Sequence, residues 1–419
     1  MIFDKDLFRA FEAATATVNE LDVLQQIEVV SKKEYVRFMV GEVENPLFKS
    51  RRGGFDLGHA EAALATCEAL VKTATVPEVV TQLYQAKLAT QLLRYQLIAA
   101  STERNDEKFF ELSKKIHGIP KKKLFAQAVH TILATTPQSS SGAAALKKLR
   151  RAIGHVEKPK ESLHVDMLPA PVVDTSPLPT AREVKKIFDD VLAENEIQGW
   201  QNCIDETSER TRFAVNPTQK TIFIPTDAQL QARSRPLTRI GAQALAEHEV
   251  GVHARRSYEG SRQTLQLLAL GLSGHLVGEE GLASYMQQQI EGAKNFYGMD
   301  RYLAIGLVIG LDGTVRDFRS VFALMQLYYV IDVDNDAVPP EVAIRSAWEV
   351  CRRIFRGTTA QQAGYAYTRD LAYFEGNVGI WEYIVSHPER LPHLFIGKYN
   401  PLNKRHVESL QTLEILPQW

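Results

Sequence analysis

The residues of this chain best suited to chemistry are His248-Glu249-Val250-Gly251-Val252-His253, two imidazoles around a carboxylate, with Glu279-Glu280-Gly281-Leu282-Ala283 a short way downstream. Imidazole nitrogen and carboxylate oxygen are donors that zinc favours. A catalytic zinc takes three protein ligands and keeps a fourth position open. His248, His253 and one downstream glutamate make up that number. Glu249, adjacent to the first histidine and not itself a ligand, is the candidate base for a water at the metal.

The spacing carries a structural demand. In the familiar helical version of this motif the histidines are four residues apart, about one turn, and share a face. Here they are five apart, which in a regular helix turns the second ring about 140° away from the first. A π-bulge restores the alignment, and such bulges are found mostly at functional sites. Gly251, between the histidines, lowers the cost of the distortion. The expectation is a bulged or locally unwound helix across 249–253.

The run Ala246-Glu247-His248-Glu249-Val250-Gly251-Val252-His253-Ala254-Arg255-Arg256-Ser257-Tyr258-Glu259-Gly260, followed by Gly278-Glu279-Glu280-Gly281-Leu282-Ala283, resembles the signature of the microtubule-associated tyrosine carboxypeptidase family. Bacterial members are labelled flavohemoglobin expression-modulating proteins with a QEGLA motif. The resemblance extends over most of 180–376. Asn45-Pro46-Leu47-Phe48, and Thr368-Arg369-Asp370 with Tyr373-Phe374-Glu375-Gly376, are similar to less specific family segments. It implies a Zn2+ metallopeptidase in which His248, His253 and Glu280 are ligands and Glu249 is the catalytic base. Glu279 stands where the family motif often has glutamine, so the alignment, not the residue types, favours Glu280 as the ligand. The implied reaction is hydrolysis of the C-terminal peptide bond of a peptide or protein. Animal relatives suggest removal of a terminal tyrosine, and tyrosine or another aromatic residue is the one expected to be released. The alternatives are an endopeptidase or aminopeptidase on the same scaffold, and a non-catalytic regulatory protein with a structural zinc.

Hydrolysis also needs a donor for the developing oxyanion. Tyr373 is the first choice, ahead of Tyr365, Tyr367 and His275. A free terminal carboxylate is matched by the planar guanidinium of arginine, for which Arg256 and Arg369 are candidates. Asp370 either orients a ligand histidine or caps a helix, and Glu279 is a further candidate for the orienting role.

The elements that must position these residues are mostly helical. Apolar residues recur at helical spacing from Leu7, Phe8 and Phe11 through Leu21, Leu24, Ile27 and Val30 to Tyr84, Leu88, Leu92 and Leu97, with a break expected at Gly53-Gly54. Further helices are expected over 106–116, 122–135 and 143–153. Pro159, Pro169, Pro171, Pro177 and Pro179 mark an extended connector, after which Thr180 is placed to cap a helix. Thr211 to Val215 and Thr221 to Pro225, around a five-residue loop, form the pattern of a β-hairpin. An edge strand from 213–215 or 222–224 could bind an extended peptide beside the metal. Helices are then expected over 236–258, 262–272, 279–293, 302–310, 315–330, 340–355 and 372–385. The fold class is mainly α (α+β). It divides into an N-terminal helical region, 1–158, the connector, 159–179, and a zincin-like metallopeptidase domain, 180–419.

Composition bounds the rest. The 419 residues carry 49 basic and 50 acidic side chains, a net charge of -1 that gives no reason to expect nucleic acid or an anionic membrane as partner. Cys67, Cys203 and Cys351 are odd in number and far apart, which points away from a disulfide framework and towards a reducing, cytoplasmic setting. Met1-Ile2-Phe3-Asp4-Lys5-Asp6 lacks the pattern of a signal peptide, and the apolar runs 265–277 and 302–311 are too short to span a bilayer. The expected partner is a peptide or protein C-terminus. Nothing in the sequence sets the oligomeric state.

Overall fold

Caps and apolar periodicity account for most of the architecture. The computed structural model describes residues 3–16, 31–48, 56–206, 213–217, 219–233 and 236–419. Within these the helices are α1 Lys5–Ala16, α2 Lys32–Met39, α3 Leu57–Thr73, α4 Glu78–Thr102, α5 Asp106–His117, α6 Lys122–Leu133, α7 Ser140–Ala152, α8 Ala181–Glu194, α9 Asp227–Gln231, α10 Arg239–Ala246, α11 Arg255–Arg262, α12 Leu276–Glu291, α13 Met299–Val308, α14 Phe318–Val333, α15 Pro340–Phe355, α16 Leu371–Ser386 and α17 Lys404–Thr412. Thr180 caps α8 as its sequence context predicts, in a reciprocal box with Glu183. Leu21, Leu24, Ile27, Val30, the Gly53-Gly54 break and the first hairpin residues, Thr211 and Arg212, lie outside the described residues.

The expected hairpin is present as β2 Ala214–Asn216 antiparallel to β3 Thr221–Ile224, but the sequence reading missed a third strand. β1 Gln201–Ile204 pairs in parallel with β3, giving the order β1-β3-β2. β3 is therefore central and its backbone is engaged on both sides, which rules out 222–224 as a peptide-binding edge. β2 is an edge, and it lies against the segment carrying the two histidines.

The expected helix over 262–272 is replaced by a short 3-10 turn, Gln266–Ala269. Gln263 is extended, and Gly271 and Gly274 have positive φ, so the chain turns twice where the apolar pattern suggested one helix. α17 and the 3-10 stretch Pro388–Phe395 also went unanticipated.

Apolar residues gather in a large cluster that runs from Leu7 to Leu416 and a smaller one built from 181–254. The N-terminal helices thus share buried surface with α12 to α17. Phe48, in the Asn45-Pro46-Leu47-Phe48 segment, packs on Phe318 in the large cluster, while Asn45 bonds to Asp317 and to the Arg319 N–H at 3.1 and 3.0 Å. That segment anchors the start of α14, far from the histidines in role. The three cysteines are free. Among the described residues no helix is long and apolar enough to cross a membrane.

Candidate metal centre

α10 passes without a break into a π-helical segment, Glu247–Ala254, and then into α11. The Arg255 N–H reaches back five residues to the Val250 carbonyl. A five-residue closure brings positions i and i+5 onto one face, as a four-residue closure does for i and i+4. The expected distortion is there, and it extends beyond 249–253 at both ends. Gly251 keeps a helical, negative φ. Its lack of a side chain leaves the room into which the Glu247 carboxylate folds.

The two imidazoles consequently face each other, with ring centroids 5.0 Å apart and planes at 77°. α12 packs against this segment and delivers Glu280 between them. Glu280 Oε2 lies 3.8 Å from Nε2 of His248 and 3.8 Å from Nε2 of His253. Tetrahedral zinc ligands at about 2.1 Å sit roughly 3.4 Å apart, so these two sides need to contract by only a few tenths of an ångström, and all three donor atoms lie within 4.8 Å of one another. Glu280 Oε2 is buried and has no hydrogen-bond partner among the described residues. An unpaired buried carboxylate oxygen is costly, and a cation at the centre of the triangle relieves it. Two neutral imidazoles and a carboxylate are also the donor types for a borderline divalent metal. His248, His253 and Glu280 therefore fit a metal ion.

The two rings are shifted in opposite directions. Burial, and after it the neighbouring His253, push His248 down to about 4, leaving it neutral near pH 7. For His253 burial opposes a charge, but the Glu279 hydrogen bond and the Glu279 and Glu280 carboxylates outweigh it and raise the ring. Its Nδ1–H donates to Glu279 Oε1 at 2.9 Å, which fixes the tautomer and turns Nε2 to the centre. Burial raises Glu279 too, yet Arg256 and then Lys398 hold it well below the usual carboxylate range. Glu249, in the same π segment, has a carboxyl raised by burial.

Glu279 thus holds the His253 ring, and Arg256 in turn holds Glu279. Arg256 is wholly buried, with Nη1 on Glu279 Oε2 at 2.5 Å, Nε on the Gly397 carbonyl at 2.9 Å and Nη2 on the Tyr399 carbonyl at 2.6 Å. Its donors are engaged, so the expectation that Arg256 meets a substrate carboxylate is corrected. Lys398, 3.5 Å from Glu279 Oε1, completes the cage. Neither it nor the two carbonyls carried a local signal, since they come from a loop over a hundred residues downstream. Glu279→Gln keeps the shape but removes the anion, and it is expected to weaken metal affinity about 10–100-fold in a chelator competition. Unchanged affinity would mean that the carboxylate does not support His253.

Asp370 does not orient a histidine, and its side chain does not cap α16. It is buried among Arg353, Arg356 and Arg369, which corrects both expectations. Burial raises Asp370, but the charges of Arg353, then Arg356 and Arg301, hold it well below the usual range. Arg369 reaches Glu280 Oε1 at 3.8 Å and Asp370 at 3.9 Å. The Tyr373 hydroxyl accepts from Arg353 Nη2 at 3.1 Å, and Arg301 and Arg353 lie against its ring. Tyr367 is buried against Phe109 and His117, Tyr365 packs on Phe110, and His275 Nδ1 bonds to the Leu272 carbonyl. Arg353 and Arg356 were not anticipated; in the last turn of α15 and directly after it, they follow the pattern of an ordinary basic helix end.

A family model described as microtubule-associated tyrosine carboxypeptidase matches residues 211–418. This part of the chain belongs to that family. Comparison with curated proteins and with solved structures finds no match. The three donors, Glu249, Glu279, Arg369 and Tyr373 all fall inside the matched residues. α4 and α5, which pack beside them, fall outside.

Proposed function

We propose that the protein is a zinc metallocarboxypeptidase that removes the last residue from a peptide or protein. The observation that carries this reading is the convergence of two Nε2 atoms and an unpaired buried carboxylate oxygen on one point, with a carboxyl between the histidines in sequence and an arginine with spare donors beside it. His248, His253 and Glu280 would hold the metal. Zinc there supplies Lewis acidity, which makes a water more acidic and polarises the scissile carbonyl.

The remaining work falls to side chains. Glu249 accepts the proton of the attacking water and passes it to the departing amine. The Tyr373 hydroxyl, whose oxygen already accepts from Arg353, keeps its own proton to donate to the carbonyl oxygen as charge develops there. Arg369 receives the substrate's terminal carboxylate. Its guanidinium makes no hydrogen bond among the described residues, only the two longer ion pairs, and it is partly open to solvent. The third-ligand count supports catalysis over a closed structural site, because Glu279 is occupied by His253, Arg256 and Lys398 and adds no fourth donor.

Zinc-loaded protein incubated with peptides of varied C-termini and followed by mass spectrometry tests the reading. Stepwise loss of single C-terminal residues is expected, and internal cleavage would replace this reading with an endopeptidase. Arg369→Gln is expected to raise KM about 10–100-fold for peptides with a free C-terminus, the loss of a charge-assisted bidentate contact. An unchanged KM would remove Arg369 from the carboxylate site.

A further inference from the structure

Three guanidinium groups surround a single buried carboxylate beside the metal centre. Arg353 grips Asp370 through Nε, with Nη2 at 3.3 Å from Oδ1, Arg356 Nη2 lies 3.4 Å from Oδ1, and Arg369 Nη1 3.9 Å from it. Three positive charges against one negative leave an excess of two. Glu280, the other carboxylate that Arg369 approaches, is a metal ligand in the reading above. Buried charge in excess is unfavourable unless anions join it. Two of the guanidiniums have capacity left: Arg356 Nε is buried without a partner, and Arg369 makes no hydrogen bond among the described residues.

An N-terminal helix packs against this arginine cluster from the far side. Ser113 on α5 shares a hydroxyl contact of 2.8 Å with Thr368 and accepts the Thr368 N–H at 2.9 Å, which pins α5 to the turn that carries Arg369. One helical turn on, the His117 ring stands edge-on to Tyr367 at 5.5 Å, and Arg356 lies over the Tyr367 ring at 5.0 Å. Burial, then the charges of Arg94 and Arg369, keep His117 neutral, a donor of one N–H and not a further cation. His117 and Arg356 thus share the Tyr367 ring as neighbour, and His117 lies outside the residues matched by the family model.

We infer that the space bounded by Arg369, Arg356 and His117 receives the substrate's C-terminal residue, and that this residue is glutamate or aspartate. Arg369 takes its α-carboxylate, while Arg356 Nε and His117 take the carboxylate of its side chain. The inference rests on the carboxypeptidase reading and adds the class of residue removed. An acidic residue brings two negative charges to an excess of two positive ones; tyrosine brings one and leaves a guanidinium unanswered. The N-terminal helices become part of the specificity pocket, with His117 as a specificity-determining residue.

The test uses full-length zinc-loaded protein and peptides that differ only in ending with glutamate, aspartate, tyrosine, leucine or lysine. A kcat/KM for glutamate or aspartate at least tenfold above that for tyrosine is expected. Arg356→Gln should bring the ratio close to one, and Arg356→Lys should restore part of it. Equal or better cleavage of the tyrosine or leucine peptides overturns the inference while leaving the carboxypeptidase reading intact. Should no peptide be cut, that reading falls, and binding of the same peptides to zinc-loaded Glu249→Gln protein decides the inference. Tenfold tighter binding of the acidic peptides upholds it, and equal binding overturns it.

Discussion

Glu249→Gln is expected to lower kcat about 10³-fold and to leave both metal affinity and peptide binding near their original values. Glutamine has the shape of glutamate and can still hydrogen-bond, but it cannot accept a proton from water at neutral pH. Glu249 sits in the π segment between the two proposed ligands, so backbone geometry fixes its distance to the reacting centre and no loop movement can substitute another base. Burial raises its carboxyl, which brings the proton affinity closer to that of a group able to take and return a proton near neutrality. The measurement is release of C-terminal residues by mass spectrometry, alongside metal content by elemental analysis. A variant that keeps its metal and loses the activity isolates the base. Retained activity would take Glu249 out of the mechanism, and loss of the metal would show that it is a ligand.

How much of this was legible before the structure differs from one element to the next. The π-helical distortion was accessible because it is a consequence of geometry: two histidines five apart can share a metal only if the helix is widened between them. The capped helix at Thr180 and the β2-β3 hairpin were accessible because their signals are local. β1 was not, since Gln201-Asn202-Cys203-Ile204 has neither alternation nor β-branched density, and its place is set by pairing with β3 twenty residues later. Arg256 was misread for a related reason. A residue type shows that a guanidinium is available but not whether its donors are already engaged, and its two carbonyl partners lie some 140 positions downstream. Asp370 followed the same pattern, with partners in the last turn of α15 and directly after it that the sequence presents as an ordinary basic helix end.

The glycines of the two motifs yield the second large effect. Gly376→Ala is expected to destabilise the fold by about 3 kcal/mol and to weaken metal binding along with it. α12 and α16 cross at Gly281 and Gly376 with their backbones in contact, so that a Cβ on Gly376 would overlap the Val277 carbonyl oxygen and lie 3.0 Å from the Gly281 Cα. A Cβ on Gly281 would in turn fall 2.5 Å from the Gly376 carbonyl carbon. Both obstacles are backbone atoms in the middle of helices, which cannot rotate aside as a side chain can. The two helices must separate, and Glu280, one residue before the crossing, moves with α12 while Tyr373 and the Asp370 cluster move with α16. Gly251→Ala makes the useful contrast. There the added methyl meets chiefly the far end of the Glu247 side chain, which can swing away, and a loss of about 1 kcal/mol or less is expected. Denaturant midpoints for the two variants, read with a chelator titration of the metal, decide the matter. Equal midpoints would show that the crossing tolerates a wider separation, and that the glycines are not what holds Glu280 against the two histidines.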